Sequence, residues 1–140
     1  MSDTETIAGL RVSRVLAAYE IAAYWASSSE TDDAGGEPLD IYMASHDTEP
    51  SEACLARFRD DVVAFLVACE RDGLDLSACE DEQVGYDFWL TRNHHGAGFW
   101  NRDETTYGTA EVRDRLDAVC RTFPEASLYV DTDTNTIHHD

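Results

Sequence analysis

Between Gly85 and Arg102 the chain reads Gly-Tyr-Asp-Phe-Trp-Leu-Thr-Arg-Asn-His-His-Gly-Ala-Gly-Phe-Trp-Asn-Arg, gathering a carboxylate, two guanidiniums, two amides, two imidazoles and several aromatic rings in one short stretch. Two kinds of chemistry suit these residue types. Asp87 and His95, with Arg92 and Asn93 beside them, would form a small polar catalytic or ligand site for a nucleotide-like anion, because an imidazole titrates near neutrality and a guanidinium binds anions through a planar fork. Alternatively, Trp89, Arg92, Asn93, His95, Trp100 and Arg102 would form an aromatic and cationic recognition surface of the kind that supplies binding hot spots. A metal centre is not expected. Adjacent residues in a strand face opposite ways, so His94 and His95 are poorly placed to hold one ion, and no Cys-x-x-Cys pair supplies further ligands. No cofactor motif is present either, since Gly96-Ala97-Gly98 is better explained by positive backbone dihedrals than by a phosphate cradle.

The elements that must position these groups follow from patterning. Phe88 and Leu90 alternate with Asp87, Trp89 and Thr91, and residues 93–98 are turn formers, which predicts a β-hairpin with Trp89 and Trp100 facing one another. Apolar residues at three- and four-residue steps predict helices over 7–27, from Thr48 to the stop at Gly73, and over 109–123, with Leu39 to Met43 forming an irregular or short helical connection. Thr48-Glu-Pro reads as the second helix's cap and first turn. Residues 127–131 read as a strand, 131–135 as a polar turn and 136–139 as an edge strand, with His138 and His139 on the surface. The expected fold is α+β: a small antiparallel sheet, made of the hairpin and one or two C-terminal strands, covered by about three helices. At 140 residues the chain suits a single domain, 1–140, with acidic surface loops at 28–38 and 74–83.

Charge narrows the choice of partner. The net charge is -19, from 29 acids against 10 bases, every base being Arg. Such a chain is repelled by nucleic-acid backbones and anionic membranes, so neither is an expected partner and a protein with a basic surface is. The acids are concentrated between Glu30 and Glu82, and Asp60, Asp61 and Asp72 mark the second helix as a candidate binding face. The absence of Lys also fits a GC-rich genome or a high-salt cytoplasm. Cys54, Cys69, Cys79 and Cys120 read as reduced thiols in a reducing compartment, and the acidic N-terminus lacks a secretory signal, so a cytoplasmic setting is expected.

The stretch Asp87-Phe-Trp-Leu-Thr-Arg-Asn-His-His-Gly-Ala-Gly-Phe-Trp-Asn-Arg102 resembles the hallmark Asp-Phe-Trp-Leu-Thr-Arg-Asn-x-His-Gly-Ala-Gly-Phe-Trp-Asp-Arg of a family of small uncharacterised phage and prophage proteins. The acidic segment Ser28 to Asp40 and the closing Leu128-Tyr-Val-Asp131 add to the likeness, whereas His94, Asn101 and the Asp-Glu-Thr-Thr stretch after Arg102 depart from it. The resemblance implies a phage or provirus accessory protein acting in the host cytoplasm, and carries no catalytic residue with it. Two functions are therefore expected: a non-enzymatic protein that binds a basic host macromolecule through its acidic surface, such as a nucleic-acid-mimicking inhibitor of CRISPR or restriction defence; or, alternatively, a small enzyme or ligand-binding protein using Asp87, Arg92, Asn93 and His95.

Overall fold

A computed structural model describes residues 5–28, 37–94 and 97–140. Its helices are α1 (Val12–Ala26), α2 (Leu39–His46), α3 (Glu52–Arg71), α4 (Asp81–Arg92) and α5 (Ala110–Cys120), with 3-10 turns at Phe99–Asn101 and Glu104–Tyr107. Its strands are β1 (Thr6–Ile7), β2 (Leu10–Arg11), β3 (Glu49–Pro50), β4 (Leu128–Asp131) and β5 (Thr136–His139). The class is α+β. Helix predominates, however, and the small three-stranded sheet, in the order β3-β5-β4, joins an antiparallel β4-β5 hairpin to a parallel β3-β5 pair.

The hairpin expected over 85–102 is instead the helix α4 followed by a turn and a 3-10 segment. The physical reason is burial on almost every side. Val84, Gly85 and the unbroken run Asp87 to Arg92 are all buried, so the apolar residues extend around the helix and the 3.6-residue period that marks a half-exposed helix is lost. Trp89 consequently lies among Tyr19, Phe58 and His139, while Trp100 sits in a 3-10 turn and is 47% exposed, so the two indoles do not fasten a pair of strands.

A tight hairpin does occur elsewhere. β1 and β2 turn through Ala8 and Gly9, both at positive φ, ahead of a helix that starts at Val12 rather than near Ile7. Leu76 donates its amide to the Ala8 carbonyl, and Glu70 accepts from the Ala8 amide, which ties this hairpin to the end of α3. The expected surface loop at 74–83 is thereby clamped: Leu74 and Leu76 are buried, and its last residues form the first turn of α4. Most of the 28–38 loop lies outside the described residues, though Ser28 and Pro38 bridge its two ends.

α3 begins at Glu52, with the Ser51 hydroxyl accepting from the Cys54 amide as its cap. Thr48 is used differently, donating to the Asn135 side chain at the β4-β5 turn, and Glu49–Pro50 becomes strand β3. From α3, Phe58, Val62, Phe65, Leu66 and Cys69 face inward as the sequence predicts, but Leu55 is 39% exposed. Phe65 stacks on Phe88 at 4.2 Å between centroids, joining α3 to α4 at the centre of the core. Cys54, Cys69 and Cys120 are buried free thiols outside any disulfide, and burial pushes the Cys54 and Cys69 thiols up to about 11 and about 12.

α1 lies against α4 more extensively than any other pair of elements, and Gly85 permits the approach. A β-carbon there would fall 2.1 Å from the Val15 carbonyl oxygen, so the helices must separate if any side chain is added. Ala is favoured over Gly by about 1 kcal/mol in a helix interior. The Gly85→Ala protein is nonetheless expected to be less stable, by about 1 to 3 kcal/mol of overpacking, and a urea denaturation midpoint shifted below that of the wild type checks this.

Candidate functional site

The residues singled out from the sequence divide into two separate polar networks, each built around a charge that α4 carries into the core. At its C-terminal end, Arg92 is 3% exposed. Its Nη1 donates to the Tyr19 hydroxyl at 2.9 Å and to Asp61 Oδ2 at 2.8 Å, while Nε and Nη2 both donate to the Pro124 carbonyl. The rings of Phe88 and Phe123 lie within 6 Å of the guanidinium carbon. Arg92 is thus a structural cross-link between α1, α3, α4 and the segment after α5, with its donor fork engaged inside the protein.

His139 joins this network rather than standing on the surface. Its side chain is 1% exposed and Nε2 lies 3.4 Å from Asp61 Oδ2, outside the alignment of a hydrogen bond, while Nδ1 contacts the Asp140 backbone oxygen at 2.8 Å. Burial raises the cost of ionising Asp61, but the hydrogen bond and positive charge of Arg92, with the His139 ring beside the carboxylate, outweigh it and hold the carboxyl below its ordinary value of 3.8. Asp61 therefore belongs to an internal ion network, unlike its neighbour Asp60, which is exposed.

One turn and more before Arg92, Asp87 has no exposed surface. Arg102 meets its carboxylate in a fork, Nε at 3.0 and 3.1 Å and Nη2 at 2.7 Å; Gln83 donates to Oδ2 at 3.0 Å, and the Tyr107 hydroxyl makes a short hydrogen bond to the same oxygen. Burial and the adjacent carboxylate push the Tyr107 phenol far up, so it stays a donor. Both Asp87 oxygens are occupied, and the group can act as a base only if this network opens. Asp87 and Arg92 bind different partners and do not converge on one ligand site.

The remaining candidates are placed as follows. Asn93 accepts from the Ala126 amide at 2.7 Å and donates to the Trp89 carbonyl, stitching the end of α4 to the approach to β4. His95 lies outside the described residues; His94 is exposed, with Nε2 3.3 Å from Glu125. Gly98 is at φ +153 and packs against Thr91, whose hydroxyl accepts from the Phe99 amide. Asp72 is exposed and paired with Arg115. Among the described residues no group of three or more His, Cys, Asp or Glu side chains is arranged to hold a metal ion, and no helix is long and apolar enough to cross a membrane.

A surface feature absent from the sequence reading adjoins the Asp87 network. A groove of about 630 Å³ lies between α1 and α4, lined by Ser13, Arg14, Ala17, Ala18 and Ile21 on one side and by Glu80, Glu82, Gln83 and Tyr86 on the other, with Arg102 on its wall. The exposed Ala17 and Ile21, beside the buried Ala18, give α1 an apolar edge next to its core-facing stripe, a signal that a single inward stripe conceals.

Removing one member of a buried ion network leaves the others desolvated and unpaired. Arg92→Met is expected to cost about 3 to 5 kcal/mol in denaturant unfolding, with Asp61, the Tyr19 hydroxyl and the Pro124 carbonyl losing their donor. The pH dependence of stability offers a second check. Because the folded-state pKa of Asp61 is depressed, its contribution is present above the ordinary value of 3.8 and is lost as pH falls through the lower folded value. The stability difference between wild type and Asp61→Asn, measured by urea unfolding from pH 7 downward, is expected to be constant near neutrality and to shrink below about pH 4.

Set against known proteins, the chain matches no family model, no curated protein and no solved structure.

Proposed function

We propose that this is a non-enzymatic accessory protein of a phage or provirus that acts in the host cytoplasm by presenting an acidic surface to a basic host macromolecule, as a nucleic-acid-mimicking inhibitor of a defence system of the CRISPR or restriction type would. The observation that carries the reading is how the ten arginines are used. Arg57, Arg59, Arg92, Arg102, Arg113, Arg115 and Arg121 each have a carboxylate within 4.0 Å, leaving Arg11, Arg14 and Arg71 as the arginines without such a partner among the described residues. With 29 acids, most carboxylates remain uncompensated, and Asp47, Glu49, Glu52, Asp60, Asp75, Glu80 and Glu82 are among those exposed. A field of one sign accelerates encounter with a cationic groove and weakens with ionic strength. The occupied Asp87 and Arg92 side chains favour binding over catalysis at the sequence hallmark.

Displacement of a labelled DNA duplex from a basic host nuclease tests the reading. The wild-type protein is expected to release the duplex at low salt and to fail at several-fold higher salt, while a variant with Glu52, Asp60, Glu80 and Glu82 all changed to Lys loses about tenfold or more in potency. Equal potency of the two proteins would remove the acidic surface from the mechanism. Asp61 is left unchanged because its reversal would break the Arg92 network rather than the surface.

A further inference from the structure

Building on the acidic-binder reading, we propose that the α1–α4 groove is the contact point, and that it receives an amphipathic helix of a partner protein carrying a large apolar side chain on one face and Lys or Arg along its flank. Three observations converge on this occupant. The floor is apolar and solvent-facing: Ile21 is 62% exposed, and Trp25, 48% exposed, lies one turn further along α1 with its indole 6.1 Å from the Tyr86 ring. Solvent-exposed aliphatic and aromatic groups gathered along one groove mark an interaction site more often than an ordinary surface.

The rim selects the charge of the occupant. Glu80, Asp81 and Glu82 stand together at the start of α4, and Glu80 and Glu82 line the groove. Of the two guanidiniums there, Arg102 is neutralised by its fork with Asp87, so Arg14 alone of the lining residues opposes the two carboxylates Glu80 and Glu82, with Asp81 beside them on α4. An anionic ligand such as a nucleotide would meet net repulsion, whereas a cationic flank is attracted.

The groove is also preformed. Gly85 sets the spacing of α1 and α4, and Asp87, itself fixed by Gln83 and Tyr107, holds Arg102 in its wall, so little ordering cost falls on this side of the interface. A helix laid into a hydrophobic groove is a recurring recognition mode that reads apolar anchors at i, i+3, i+4 and i+7.

Synthetic peptides of about 18 residues, long enough to fold as helices on contact, provide the probes: one with Leu on one face and Lys on the other, and its Leu/Glu counterpart. Fluorescence anisotropy with the labelled Leu/Lys peptide is expected to report saturable binding to the wild type, and none is expected for the Leu/Glu peptide. Ile21→Glu, a change at an exposed position, and the pair Glu80→Lys with Glu82→Lys should each weaken binding tenfold or more. The equal charge change Glu52→Lys with Asp60→Lys, on α3, should weaken it threefold at most. If both charge-reversed pairs lose affinity alike, or Ile21→Glu changes nothing, the groove is not the contact and only the general field remains. Preferential binding of the Leu/Glu peptide, or no binding of the Leu/Lys peptide at low salt, also overturns the groove assignment. The DNA-displacement assay on the same wild-type protein then separates the two ideas: retained displacement leaves the acidic-binder reading standing without the groove, and lost displacement removes both.

Discussion

A helix that passes through the core while carrying both a carboxylate and a guanidinium dictates much of this architecture. Moving either charge from water into a protein interior costs several kcal/mol unless close, well-aligned partners replace the lost hydration. α4 places Asp87 and Arg92 inside, and other segments supply most of what each requires: Tyr19 from α1, Asp61 from α3 and the Pro124 carbonyl for Arg92, and Arg102 and Tyr107, together with Gln83 one turn earlier in α4, for Asp87. These contacts favour one arrangement of the helices because a displaced α4 would strand two buried charges at once. Stacked rings around them, Phe65 on Phe88 and Tyr19 on Phe88, fill the space between the networks with apolar surface that keeps water out.

The same constraint accounts for the choice of base. Arg92 addresses a carbonyl, a phenol and a carboxylate from one planar group, and Arg102 grips both oxygens of a single carboxylate; an ammonium on a flexible stem offers neither geometry. A chain without Lys thus retains the residue best suited to internal pairing. Arginines spent on such pairs, or on surface neighbours such as Asp72 and Asp117, no longer offset the remaining acids, so the outward negative field is partly a consequence of how the interior is held.

Half-exposed elements were legible in the sequence and fully buried ones were not. α3 and α5 display one apolar stripe to the core, and the turn formers between Asp131 and Asn135 mark the β4-β5 hairpin, so periodicity and turn chemistry suffice for them. α4 is enclosed by α1, α3 and α5, and enclosure makes Phe88, Trp89, Leu90 and Thr91 a continuous buried run whose alternation of residue types mimics a strand. The roles of Asp87, Arg92 and His139 were hidden for a related reason: their partners lie far away along the chain, and local spacing carries no record of Arg92 meeting Tyr19 or of Asp61 meeting His139. The groove escaped notice because its walls, α1 and α4, come together only in the fold, and the sequence alone does not record that Ile21 is left outside the packed face of α1.

That exposed apolar edge is what supports the proposal of the acidic coat as an interface. A coat that serves only to keep a protein dissolved in salt needs carboxylates and nothing apolar among them, since solvent-facing hydrocarbon works against solubility. Along α1, however, Ile21 and Trp25 remain in solvent next to Tyr86, with Glu80 and Glu82 at the edge of the same groove. Charge brings a cationic partner close but fixes its register poorly, whereas an apolar anchor in a preformed groove fixes register but attracts nothing from a distance. Their juxtaposition on a wall held in place by the buried Asp87 network joins the two properties in one surface, and so links the charge that α4 hides to the charge that it displays.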